Sequence, residues 1–125
     1  MQEPESATYQ EYLTVFYVER GYQVAEKGLS EAERLIELAA ENPRSYELLG
    51  WAYFQSGDLT QAETALRQSL ALQPDQPALL YRLGRVLEAQ GRNDEAATLY
   101  AQVVDWDTSD IYRERILNRR QPTTE

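Results

Sequence analysis

The 125-residue chain contains no cysteine and no histidine. Without cysteine there is neither a disulfide framework nor thiol chemistry. Without histidine there is no ordinary general base near neutral pH, and the commonest metal ligand is gone. The serines have no imidazole to activate them, and no glycine-rich phosphate loop is present. Long apolar runs are missing as well. The most apolar N-terminal run, Leu13 to Val18, is six residues long and flanked by Glu11 and Glu19, far short of the roughly 20 residues that cross a bilayer. The opening Met-Gln-Glu-Pro-Glu-Ser is acidic where a secretory signal would be basic. Taken literally this implies a cytoplasmic protein, although the same opening suits a piece excised from an exported or membrane-tethered parent. Lysine is nearly absent: Lys27 is the only one, and 12 bases face 21 acids for a net charge of −9. That balance argues against a nucleic-acid binder, which needs basic charge to meet phosphate.

What the chain does have is a spaced pattern of glycine, alanine and aromatic residues. Tyr46-x2-Leu49-Gly50-x2-Tyr53 is followed by Ala62-x3-Leu66 and then Pro74. Tyr46, Leu49, Gly50 and Tyr53 share one face of a helix, and Ala62, Leu66, Ser69 and Leu70 share one face of a second. Gly50 and Ala62 are small on those faces, so the two axes can approach closely. Gly57-Asp58 breaks the chain between them, and Thr60-x-x-Glu63 has the form of a capping box. The unit recurs as Leu80-x2-Leu83-Gly84-x2-Leu87, Gly91 and Ala96-x3-Tyr100. Gly50 to Gly84, Gly57 to Gly91 and Ala62 to Ala96 all span one and the same interval. This pattern resembles the tetratricopeptide repeat, a family of helical hairpins of about 34 residues each. Tyr46 or Leu80 stands in place of the frequent Trp, and Thr108 in place of the second closing Pro.

The resemblance implies an all-α, right-handed solenoid of helical hairpins, about seven helices in all. The expected organisation is a disordered N-terminus at 1–7, an N-terminal helix plus an irregular hairpin at 8–42, full repeats at 43–76 and 77–110, a capping helix at 111–120 and a disordered tail at 121–125. In the irregular copy, Tyr17-x3-Gly21-x2-Val24-x3-Gly28 and Ala32 parallel the later landmarks. That frame is shorter than the later repeats and places a turn at Gly28. Ser30-x-x-Glu33 then caps a helix over about 31–41. An alternative frame keeps the full repeat length and puts the turn at Gly21. Tyr9, Tyr12, Leu13, Phe16, Tyr17 and Val24 make a broad stripe read as packing surface. Asn42-Pro43 and Asp75 to Pro77 suit helix starts, and another helix begins near Asn93 or Asp94 and ends about Trp106. Trp106 is expected to be structural, docked against Ile111 and Ile116 of the closing helix.

No cofactor is expected and no enzyme. Asp105, Asp107 and Asp110 resemble the start of a calcium loop, but its glycine and closing glutamate are missing. In the family, first helices line a concave groove that holds a partner's peptide or helix. The corresponding residues here are Arg44, Glu47, Trp51, Phe54 and Gln55 in one hairpin, Tyr81, Arg85, Glu88 and Ala89 in the next, and Val18, Tyr22 and Glu26 in the irregular one. Tyr22, Trp51, Phe54, Gln55, Tyr81, Arg85 and Glu88 are the candidate binding residues. One branch of the family clamps C-terminal carboxylates with Lys and Asn. Trp51, Arg85 and Tyr22 occupy those places here, which does not support a clamp. Two functions remain: an adaptor binding a protein or peptide in the groove, and a self-assembling structural module. Neither involves nucleic acid or insertion into a membrane.

Overall fold

Most α-helices in this chain begin at a short polar side chain that accepts from a first-turn amide, or at a proline that has no amide hydrogen to satisfy. In the computed structural model, residues 6–21, 23–106 and 114–117 are described. They form six α-helices: α1 (Ala7–Val18), α2 (Leu29–Leu38), α3 (Pro43–Ser56), α4 (Leu59–Leu72), α5 (Pro77–Ala89) and α6 (Asn93–Trp106). A π-helical turn, Val24–Gly28, runs straight into α2, and residues 114–117 are helical too. No strand occurs among the described residues. None of the described helices is long and apolar enough to cross a membrane. The chain divides into two compact units, Met1–Pro74 with α1 to α4 and Asp75–Glu125 with α5 and α6. Tyr22, the side chain of Trp106, the Asp105–Asp110 carboxylates and most of the 111–120 helix lie outside what is described.

Asn42 caps α3 as its spacing predicts: its Oδ1 accepts from the Arg44 amide at 2.9 Å, with Pro43 in the first turn. Two other starts differ from the sequence reading. Helix α4 opens one residue before Thr60, and Asp58 is its cap, accepting from the Gln61 amide at 3.2 Å. A carboxylate also complements the positive end of the helix dipole, so Asp58 fills the role read into Thr60. Glu63 turns instead to Arg67, 2.9 Å away. Helix α5 starts at Pro77 with Gln76 as its cap residue and no side-chain bond, so Asp75 does not cap it.

The first hairpin corrects the shortened frame. Helix α1 ends at Val18, and the chain reverses through Gly21 at φ 70 and Gln23 at φ 49. Gln23 precedes Gly57 by the same interval that separates Gly57 from Gly91, so the strict repeat length holds at this turn. Gly28 is buried inside the helical run with φ −59, and α2 has no side-chain cap at Ser30. Gly28 precedes Ala62 by that interval as well, and Ala62 is also fully buried. Gly28 is thus a packing position that reads as a turn because it is glycine and the pattern of a capping box follows it. The aromatic stripe is likewise corrected. Helix α1 buries Gln10, Thr14 and Val18, while Tyr9, Tyr12 and Phe16 are exposed. Burial of the polar pair is tolerated because its groups are satisfied. Gln10 Nε2 donates to the Glu31 carbonyl at 3.1 Å and carboxylate at 2.6 Å. The Thr14 hydroxyl lies 2.8 Å from the Gln10 carbonyl and 3.1 Å from that of Glu31.

Within the two later hairpins, close approach decides the packing. A Cβ on Gly50 would stand 2.8 Å from Leu66 Cγ and 3.2 Å from the Ala62 carbonyl. On Gly84 it would meet the Tyr100 ring, with Cζ at 2.9 Å. Two buried hydroxyls tie neighbouring elements: Ser69 donates to the Pro43 carbonyl at 2.7 Å and Ser45 to that of Ala39 at 2.8 Å. Gly57 closes α3 at φ 91, where its NH bonds back to Phe54 and Tyr53.

Because the Tyr100 ring is a rigid obstacle, Gly84→Ala should lower stability by about 1–3 kcal/mol through overpacking. Urea denaturation measures it, and an unchanged midpoint would contradict the close approach. Gly57→Ala meets open space, so its cost should be only the left-handed backbone penalty, roughly 1–2 kcal/mol. Gly57→Asn, which reaches the left-handed conformation more readily, should lose less than Gly57→Ala, and a larger loss would contradict a purely backbone cost.

Candidate functional site

Helix α3 buries Ser45, Leu48, Gly50 and Ala52, with Gly50 toward α4 and Leu48 and Ala52 in a cluster with Val18 and Leu35 of the first hairpin. Helical spacing sets Arg44, Glu47, Trp51, Phe54 and Gln55 side by side on the arc of α3 between Gly50 and Leu48. Trp51 and Phe54 are half-buried and Gln55 is exposed. The two rings stack, with centroids 4.6 Å apart and planes 17° from parallel. One side of Trp51 rests on a cluster of Val18, Leu35, Leu48 and Ala52, beside Val15 of α1. The indole is therefore anchored by the core rather than hanging from the surface. Gln55 reaches the α1 turn: a Cβ on Gly21 would lie 3.9 Å from its Nε2.

The charges around this surface are only partly visible in the sequence. The Arg44 guanidinium meets Glu19 and Glu47 at 3.3 Å each and Glu11 at 3.7 Å. Helical spacing alone places Arg44 and Glu47 on this side, but not Glu11 and Glu19. The signal for those two is the 11, 15, 19 spacing, which puts Glu11, Val15 and Glu19 on one side of the α1 axis and its extension. On the opposite side of α3, Tyr53 has its phenol pushed above the ordinary value, first by burial and then by the negative charges of Glu33 and Asp58.

The α5 candidates have a different environment. Tyr81, expected among the binding residues, is only 7% exposed and offers no open ring to a ligand. Its ring packs on Tyr100, centroids 5.9 Å apart, because Tyr100 fills the space left beside Gly84. Glu88 accepts a hydrogen bond from the Tyr100 hydroxyl at 3.0 Å, so its carboxylate is engaged in holding α6. Arg85 places its guanidinium 5.9 Å from the Tyr81 centroid and is half-buried. The candidates thus fall into two groups, Trp51, Phe54 and Gln55 in the first unit and Tyr81, Arg85 and Glu88 in the second. Tyr22 lies outside the described residues. No group of three metal-ligating side chains occurs among the described residues.

Stacking at 4.6 Å predicts a measurable coupling. Trp51→Ala, Phe54→Ala and the double variant, compared by chemical denaturation, should give an interaction energy of about 0.5–1.5 kcal/mol. Simple additivity would show that the rings do not stack in solution.

The sequence profile of the tetratricopeptide repeat family matches residues 25–77 and 47–111. Solved structures share the fold at low identity. A crystal structure of MamA is 22% identical with a TM-score of 0.75, covering 84% of this chain and 60% of that one. The chain thus spans about 60% of the MamA chain. The first repeat domain of human RPAP3 is 19% identical with a TM-score of 0.80, covering 94% of this chain and 91% of that one. The Yersinia enterocolitica type III secretion chaperone SycD, solved with a peptide of the translocator YopD, is 14% identical with a TM-score of 0.78, covering 94% and 88%. No curated protein matches the chain.

Proposed function

Because the chain belongs to the tetratricopeptide repeat family, we propose that it is a non-catalytic adaptor that holds a peptide or helix of another protein. The observation that carries this reading is the stacked Trp51–Phe54 pair on α3. Two large rings sit half-buried on a helix face that the hairpin itself does not fill, and one is braced by the core. Rigid, pre-placed aromatics lose little conformational entropy on binding, which is why such residues concentrate binding energy. Gln55 adds a donor and an acceptor beside them for a ligand backbone. The fold neighbour SycD, solved with a translocator peptide, supports peptide recognition on this architecture. Arg85 and the engaged Glu88 make the second unit a weaker candidate, since Tyr81 contributes no open ring.

Selection from a random peptide library displayed on phage, against the full chain, tests the reading. Selected peptides should share apolar anchors. Phe54→Ala should weaken them by about 2 kcal/mol, or roughly 30-fold. Trp51→Ala should weaken them equally but also cost stability, because its ring packs on the core. Peptides that bind Phe54→Ala and Trp51→Ala unchanged, or a library yielding no binder, would contradict the α3 site.

A further inference from the structure

Among the described residues, three of the five exposed large hydrophobic side chains lie on helix α1. Of its aromatic residues, Tyr9 is 53%, Tyr12 71% and Phe16 47% exposed. Their spacing of three and four places them on one strip, about 10 Å long at 1.5 Å per residue. The fold does not need that strip, because α1 packs on α2 through Gln10, Thr14 and Val18. A helix that buries a glutamine and a threonine while holding three rings in solvent has its polarity reversed. Exposed rings grouped in this way mark interaction surfaces.

Charge selects the occupant. Helix α1 contains no base, and its one charged residue is Glu11. Glu19 follows at its end, and both carboxylates converge with Glu47 on Arg44. Of the other bases in residues 1–47, Arg34 pairs with Glu37 at 3.6 Å, and Arg20 and Lys27 follow α1 in the chain, exposed. Over residues 1–47 there are ten acids and four bases. Tyrosine faces attract guanidinium and ammonium groups, and the surrounding field does the same at longer range.

We propose that the outer face of α1, formed by Tyr9, Tyr12 and Phe16, docks a cationic amphipathic segment of another protein, its apolar side on the rings and its arginines toward the acidic flank. This rests on reading the chain as a binding module, but it does not depend on the Trp51–Phe54 pair. An acidic ligand would be repelled from this face.

The test uses the full chain and two fluorescent peptides of about 18 residues, long enough for an amphipathic helix. One has leucines on one face and arginines on the other; its counterpart has glutamate for arginine. The arginine peptide should bind and the glutamate peptide should not, by fluorescence anisotropy. Raising salt from about 50 to about 300 mM should weaken the complex by screening. Tyr12→Ser with Phe16→Ser removes the rings without changing charge, and should weaken binding at least tenfold with an unaltered thermal melt, whereas Phe54→Ala should leave it within twofold. Binding of the glutamate peptide, absence of any binding, or indifference to the Tyr12/Phe16 change would overturn the proposal. Loss with Phe54→Ala but not with the double variant would also overturn it, while leaving the α3 site standing. Sedimentation equilibrium supplies the last arm: a dimer dispersed by the double variant would assign the face to a second copy and refute a foreign partner.

Discussion

The close approach of the paired helices at Gly50 and Gly84 governs the two later hairpins. At both positions a single added carbon would collide with the partner helix, with Leu66 in one case and Tyr100 in the other. Close contact sets Gly50 against Ala62 and Leu66, and Gly84 against Tyr100, while Leu48 and Ala52 turn to Val18 and Leu35 of the first hairpin. Local turn chemistry then becomes nearly fixed. The chain must reverse within a few residues of the crossing, and Gly57 and Gly91 reach left-handed φ values there. Trp51 and Phe54 stand outside that crossing, stacked on each other, with Trp51 braced by the core.

The two later hairpins were legible in the sequence because their small residues and turn glycines recur at one spacing. Helix boundaries followed to within a residue or two wherever a cap was unambiguous, as at Asn42-Pro43. The first hairpin was harder for a physical reason. Glycine serves two purposes, reversing the chain and allowing close packing, and Gly21 and Gly28 exchange the roles assigned to them. Helix α1 misled in a second way. Aromatic periodicity shows that a helix is amphipathic but not which side faces the protein, and hydrogen bonds from Gln10 and Thr14 to Glu31 make the polar side the inner one. Nothing in a single sequence reveals that Glu31, so distant along the chain, offers those acceptors.

The site was legible to a similar degree. Helical geometry suffices to place Trp51, Phe54 and Gln55 off the packed stripe, and the first two are found stacked. It does not suffice for Tyr81, whose fate depends on how large a ring α6 supplies opposite Gly84. Nor does it predict that Arg44 is shared among three carboxylates, since two of them come from a helix whose orientation was inverted in the reading. Exposed aromatic area and acidic charge end up on the same unit, and the account of function draws on both.

The central claim is that α3 presents its Trp51–Phe54 face to a ligand. Amide and indole chemical-shift mapping of the full chain, on addition of a library-selected peptide, tests it most directly. The account predicts shifts concentrated at Trp51, Phe54 and Gln55, with the outer surface of α4 around Gln68 and Leu72 undisturbed. Shifts centred on α4, or absent from the Trp51 indole, would contradict it.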